Sequence, residues 1–168
     1  MGELLELFNA YRAPAQHLIS VFLAAAIWRW GGAPERWLIG VFLATMVVPL
    51  YVGRLFGLDA IALGPYSATI TACDVIAAVL FVGIALNANR NYPLWIAGFQ
   101  LVAVVAHLAE ALVDTVSPFA IAILVLGPSY CQLVLLIGGF ARHASRQRRF
   151  GPYREWRSGA EPTRWWAF

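Results

Sequence analysis

Seven polar side chains fall inside otherwise apolar stretches of this sequence: His17, Asp74, Gln100, His107, Glu110, Asp114 and Gln132. Imidazoles and carboxylates exchange protons most readily near neutral pH when they are held away from water, and both can hold a cation. Gln100, His107, Glu110 and Asp114 are spaced by seven, three and four residues, which places them on one stripe of a helix. Ser67, Thr71 and Asp74, continued by Ala78, form a second stripe on the preceding apolar run. Counted inward from the helix ends at about 1.5 Å per residue, Asp74 and His107 lie about 12 Å and about 10 Å deep, so the two can meet. The same count pairs His17 with Glu110 at about 6 Å, and Gln100 with Gln132 at about 21 Å.

Ionisable groups inside an apolar span are expensive and mark ion or proton pathways by default. One expectation is therefore a path in which Asp74 and Glu110 exchange protons and His107 relays them. The competing expectation is structural: interhelical hydrogen bonds that hold neighbouring helices in register. A metal held by His17, Asp74, His107 and Glu110 is chemically sensible, although no H-x-x-x-H or H-E-x-x-H spacing is present. A haem between His17 and His107 requires them at similar depth, whereas the count separates them by about one turn. No bound cofactor is expected from the rest of the sequence. Hydrolase, kinase, dinucleotide-binding and P-loop patterns are missing, which points away from an enzyme.

The elements that must position these residues follow from composition. Of 168 residues, 61% are hydrophobic and only 12% are charged, with a mean hydropathy of +0.69; a soluble domain is far less apolar. Five apolar runs are evident, at about Ala13–Trp30, Arg36–Leu55, Tyr66–Asn87, Pro93–Asp114 and Pro118–Phe140. Each is near the length needed to cross a hydrocarbon core of about 30 Å, and none alternates as a barrel strand does. Backbone groups in lipid must be satisfied within the segment, so the expected fold is an all-α integral membrane bundle of about five transmembrane helices. Residues 13–140 form that bundle, residues 1–12 an amphipathic helix in the interface, and residues 141–168 an arginine- and aromatic-rich tail. Glu3 and Glu6 precede the first arginine, the reverse of a secretory leader.

All twelve cationic side chains are arginines. With the C-terminus cytoplasmic and the N-terminus outside, ten of them lie on the inner side and only Arg12 and Arg54 on the outer, in keeping with the positive-inside bias. Trp28, Trp30, Trp37 and Trp95 flank the inner turns, and Tyr11, Tyr51 and Tyr66 the outer ends. In the tail, Arg146, Arg148, Arg149, Trp156, Trp165 and Trp166 could rest on anionic lipid or dock on a partner subunit. No nucleic-acid motif accompanies the charge. Cys73 and Cys131 lie in apolar runs, where free cysteine acts as a small hydrophobe. Pro49 and Pro128 each interrupt a span, bending it or lining an ion site. Pro34-Glu35-Arg36-Trp37 and Pro93-Leu94-Trp95 open two returning helices in a faintly repeated way.

The stretch from Pro93 to Arg142, with its Pro-Leu-Trp-Ile, His-Leu-Ala-Glu and Gly-Pro-Ser-Tyr groups, resembles small polytopic membrane proteins of bacteria. The resemblance implies a bacterial inner-membrane setting and no particular activity. The expectations for function are a non-catalytic subunit or accessory of a larger membrane assembly, or a homo-oligomer; a small proton- or cation-conducting protein; and a membrane metal- or haem-binding redox protein.

Overall fold

The computed structural model describes residues 2–57, 68–112, 118–151 and 154–157. Helices account for every regular element among them: α1 (Gly2–Trp30), α2 (Ala33–Phe42), a π-helical turn (Leu43–Val47), α3 (Val48–Leu55), α4 (Ala68–Asn87), α5 (Tyr92–Leu112) and α6 (Pro118–Phe150). Three stretches are long and apolar enough to cross a membrane: Ala33–Leu55, Ala68–Asn87 and Tyr92–Ala109. The first and fifth apolar runs lie within α1 and α6. Both helices outrun the expected boundaries: α1 includes residues 2–12 without a break at Pro14, and α6 continues ten residues past Phe140.

Local chemistry explains where these helices start and bend. Gly32 is extended, with φ −78° and ψ 173°, and Pro34 follows in the first turn of α2, where a missing N–H costs nothing. Pro49 has no N–H to offer the carbonyl four residues back, and its ring crowds that turn. The chain answers with the π turn, in which the Val48 N–H reaches Leu43 O across five residues. Thr45 turns its hydroxyl back on Val41 O at 2.9 Å, so the irregular turn buries no loose hydroxyl. At the other end of the chain, Gly151 adopts a φ of 76° and its N–H bonds Gln147 O, stopping α6 and turning the chain back.

α5 is the central helix, flanked by α4 and α6, while α2 packs against α1, α4 and α6. Ala77, Ala78 and Ala85 are the small buried residues that let α4 lie close to its neighbours. Ile27, Leu38, Ile39, Phe42, Phe81, Ile96 and Leu136 fill the centre. The outer surface inverts the soluble pattern. Val79, Leu86, Trp95, Val105, Leu108 and Val134 are exposed, whereas Glu35, Asp74, Gln100, His107, Gln132 and His143 are buried. Water does not tolerate so broad an apolar surface on a monomer, and a lipid-facing bundle requires one.

Candidate functional site

Asp74, on the buried face of α4, is 3% exposed and sits between two residues of α5. His107 Nε2 lies 2.8 Å from Asp74 Oδ2, and Gln100 Nε2 donates to Asp74 Oδ1 at 2.8 Å and to Asp74 O at 3.2 Å. An ionised carboxylate only accepts, so the His107–Asp74 hydrogen lies on the imidazole Nε2 in that state. Gln100 Oε1 in turn accepts from Gln132 Nε2 of α6 at 2.8 Å, and the same amide reaches Ile96 O at 3.3 Å. Four side chains thus make one line across three helices: His107, Asp74, Gln100, Gln132. At its end the buried Gln132 Oε1 has no hydrogen-bond partner among the described residues.

The depth count places Asp74 with His107 and Gln100 with Gln132, and the structure brings both pairs together. It also joins them through Gln100, a link that the count treats as two separate layers. His17 goes elsewhere: its Nδ1 is 3.3 Å from the Tyr51 hydroxyl, with the rings edge to face, and Arg54 lies 5.9 Å from the centre of the Tyr51 ring. His17 thus has a partner in Tyr51 of α3 that the depth count does not include, while its expected pairing with Glu110 falls on a side chain outside the described residues. Glu110 belongs to α5 with its side chain outside the described residues, and Asp114 and Ser67 also lie outside them. Among the described residues no group of three or more His, Cys, Asp and Glu side chains is placed to hold a metal ion. Of the set His17, Asp74, His107 and Glu110, the structure joins Asp74 to His107 and places His17 against Tyr51, and the Glu110 side chain lies outside the described residues. One turn along from this network, Gln16 Nε2 donates to Ser129 Oγ at 3.0 Å, and Ser129 donates to Leu126 O. Pro128 thus sits beside a polar contact between α1 and α6.

A second cluster, which the sequence reading does not anticipate, closes one end of the bundle. Glu35 of α2 is fully buried and forms an ion pair with Arg90 from the turn between α4 and α5. Tyr92 Oη donates to Glu35 Oε1 at 2.9 Å, and Arg90 Nη2 donates to His143 Nδ1 of α6 at 3.0 Å. Glu155 completes the group: its Oε2 accepts the Ala33 N–H at 2.8 Å, and its Oε1 is 3.9 Å from Arg90 Nη2. That bond supplies the first turn of α2 with an acceptor that Gly32 has no side chain to provide. A Cβ on Gly32 would meet Glu155 Oε1, and would lie 2.9 Å from Glu35 Oε2 and 3.0 Å from Arg90 Nη2. Burial pushes the His143 pKa below its ordinary value of 6.5; Arg90 and Arg36 act the same way, and Glu155 opposes them.

Residues 154–157 pack against this end. Asn89 N–H bonds Glu155 O, Arg157 N–H bonds Asn87 O at 2.7 Å, and Ala88 bridges Trp156 in antiparallel fashion. The backbone of Trp156, a residue expected to rest on lipid or a partner, is thus held by its own chain, and its side chain is half-buried. Arg146, Arg148 and Arg149 are exposed along the last turns of α6, and Trp165 and Trp166 lie outside the described residues. The signal available in the sequence was the isolation of Glu35 and Glu155 among arginines at one end of the bundle. No protein-family model matches the chain, and no curated protein or solved structure is significantly similar to it.

Proposed function

We propose that this is a five-span protein of the bacterial inner membrane, C-terminus cytoplasmic, that takes up and passes protons or small cations at the Asp74–His107 pair. The carrying observation is the placement of a carboxylate, 3% exposed, in hydrogen-bond contact with an imidazole inside an apolar helix pair. Magnitudes favour a functional role. Placing one carboxylate at the centre of a span costs roughly 3 kcal/mol. Three cross-helix side-chain bonds, at about 0.6 kcal/mol each, offset only about 2 kcal/mol of it, before any charge is made for Gln100 and Gln132. Stability alone is a weak reason to keep Asp74 there. Clustering of Arg90, Arg142 and Arg146 at the end that carries the two short helical turns supports the proposed orientation.

The test is proton flux into liposomes containing the purified protein, read with an entrapped pH dye. Asp74→Asn and His107→Gln should each reduce flux at least tenfold while eluting as the wild type does. Flux that is absent in the wild type, or unchanged in both variants, overturns the proposal.

A second reading, a non-catalytic subunit or self-associating scaffold, is favoured by one specific observation: both Asp74 carboxylate oxygens are already satisfied by other side chains. On that reading Asp74→Asn lowers thermal stability and partner recovery in mild detergent, with no transport to lose.

A further inference from the structure

Beside the Arg90 cluster lies an open hollow of about 530 Å³ between the α4–α5 turn and α6. One wall is a stripe of α6 residues four apart, Val134, Gly138, Arg142 and Arg146, all exposed. Each step of four residues advances about 6 Å along the helix, so an apolar half grades into a cationic half over about 18 Å. The facing wall holds Asn89 and Asn91, with the first residue of α5, Tyr92, beside them. Two carboxamides and the positive end of the α5 dipole therefore meet the same space as the guanidinium groups. Among the described residues no acidic side chain lines it, and Glu35 and Glu155, the two carboxylates paired with Arg90, are not part of its wall.

We propose that this hollow binds the phosphate of an anionic phospholipid, with the glycerol and upper acyl chain against Gly138 and Val134. Phosphate suits the arginine fork, which presents paired donors to oxyanions. The apolar half decides between the two sources of a phosphate group: a free anion gains nothing from Val134 and Gly138, whereas a lipid covers them. The site lies where α6 passes from apolar to basic residues, the depth at which a headgroup sits. It stands apart from the Asp74 line and does not depend on what that line transports.

The test uses the whole chain, stripped of lipid in a neutral detergent. Binding is followed by native mass spectrometry and thermal melting with phosphatidylglycerol, phosphatidylcholine or inorganic phosphate. Phosphatidylglycerol should be retained and should raise the melting temperature; phosphatidylcholine and inorganic phosphate should do neither. Arg142→Gln with Arg146→Gln should weaken phosphatidylglycerol binding about tenfold or more, and Arg148→Gln with Arg149→Gln, beyond the hollow, by less than about twofold. Gly138→Leu supplies an independent check, because a Cβ at Gly138 meets nothing within 4 Å and the longer side chain occupies the apolar half; it should also weaken binding. Equal retention of phosphatidylcholine, an equal response to inorganic phosphate alone, or equal losses in the two arginine pairs would each overturn the proposal.

Discussion

Gln100 is the pivot of the buried line, because one amide serves Asp74 twice through its nitrogen and Gln132 through its oxygen. Replacing it by leucine strands an Asp74 oxygen and a Gln132 N–H in an apolar setting, at about 1–3 kcal/mol for each buried group left unsatisfied. Gln132→Leu removes a Gln132 Oε1 that has no partner among the described residues and strands Gln100 Oε1. Gln100→Leu should therefore lower the melting temperature in detergent more than Gln132→Leu does; the reverse order would mean that the line does not run through Gln100. This much of the site was legible beforehand, since an ionisable residue in an apolar run stands out and helical rise fixes its depth. The partner of His17 was not, because Tyr51 lies beyond Pro49, and the π turn changes which face follows it.

At the scale of elements, α5 meets α6 where Gly139 leaves room for the Tyr92 ring. A Cβ there would lie 2.7 Å from two ring carbons, and the ring is tied to Glu35 through its hydroxyl. Alanine in place of Gly139 gains about 1 kcal/mol of helix propensity but overpacks the contact by about 1–3 kcal/mol. Gly139→Ala should thus destabilise the protein on thermal melting, whereas Gly98→Ala, where a Cβ meets nothing within 4 Å, should be neutral or stabilising. The helical runs themselves were readable from hydropathy and from Gly, Pro and Asn turns. The uninterrupted course of α1 was not, because the polar residues before Pro14 suggest an ending. Nor was the π turn, which depends on how neighbouring helices brace the carbonyls that Pro49 leaves behind.

For the molecule as a whole, the cluster of Glu35, Arg90, His143 and Glu155 couples stability to pH. The folded state lowers the His143 pKa, so the unfolded chain binds the proton more readily. Its contribution is complete above about 6.5 and is lost as pH falls through the lower folded value. Melting temperature should drop on acidification from about pH 7 to about pH 5, and His143→Gln should flatten that slope. Glu155→Gln should also destabilise the protein, because it removes the charge opposite Arg90 while leaving an acceptor for the Ala33 N–H. Hydropathy announces a membrane bundle; it cannot announce a contact between residues more than a hundred positions apart, which exists only after the helices have assembled.

That separation has a consequence for how the protein is made. A ribosome releases Glu35 and Arg90 into the membrane long before Glu155, yet the Ala33 N–H finds its acceptor on Glu155. A nascent or truncated chain thus keeps the head of α2 open, and the clasp shuts only when translation has passed residue 155. Arrival of Glu155 is thereby written into the structure as a local event at the head of α2, where chains lacking that carboxylate present a backbone donor that chains carrying it conceal.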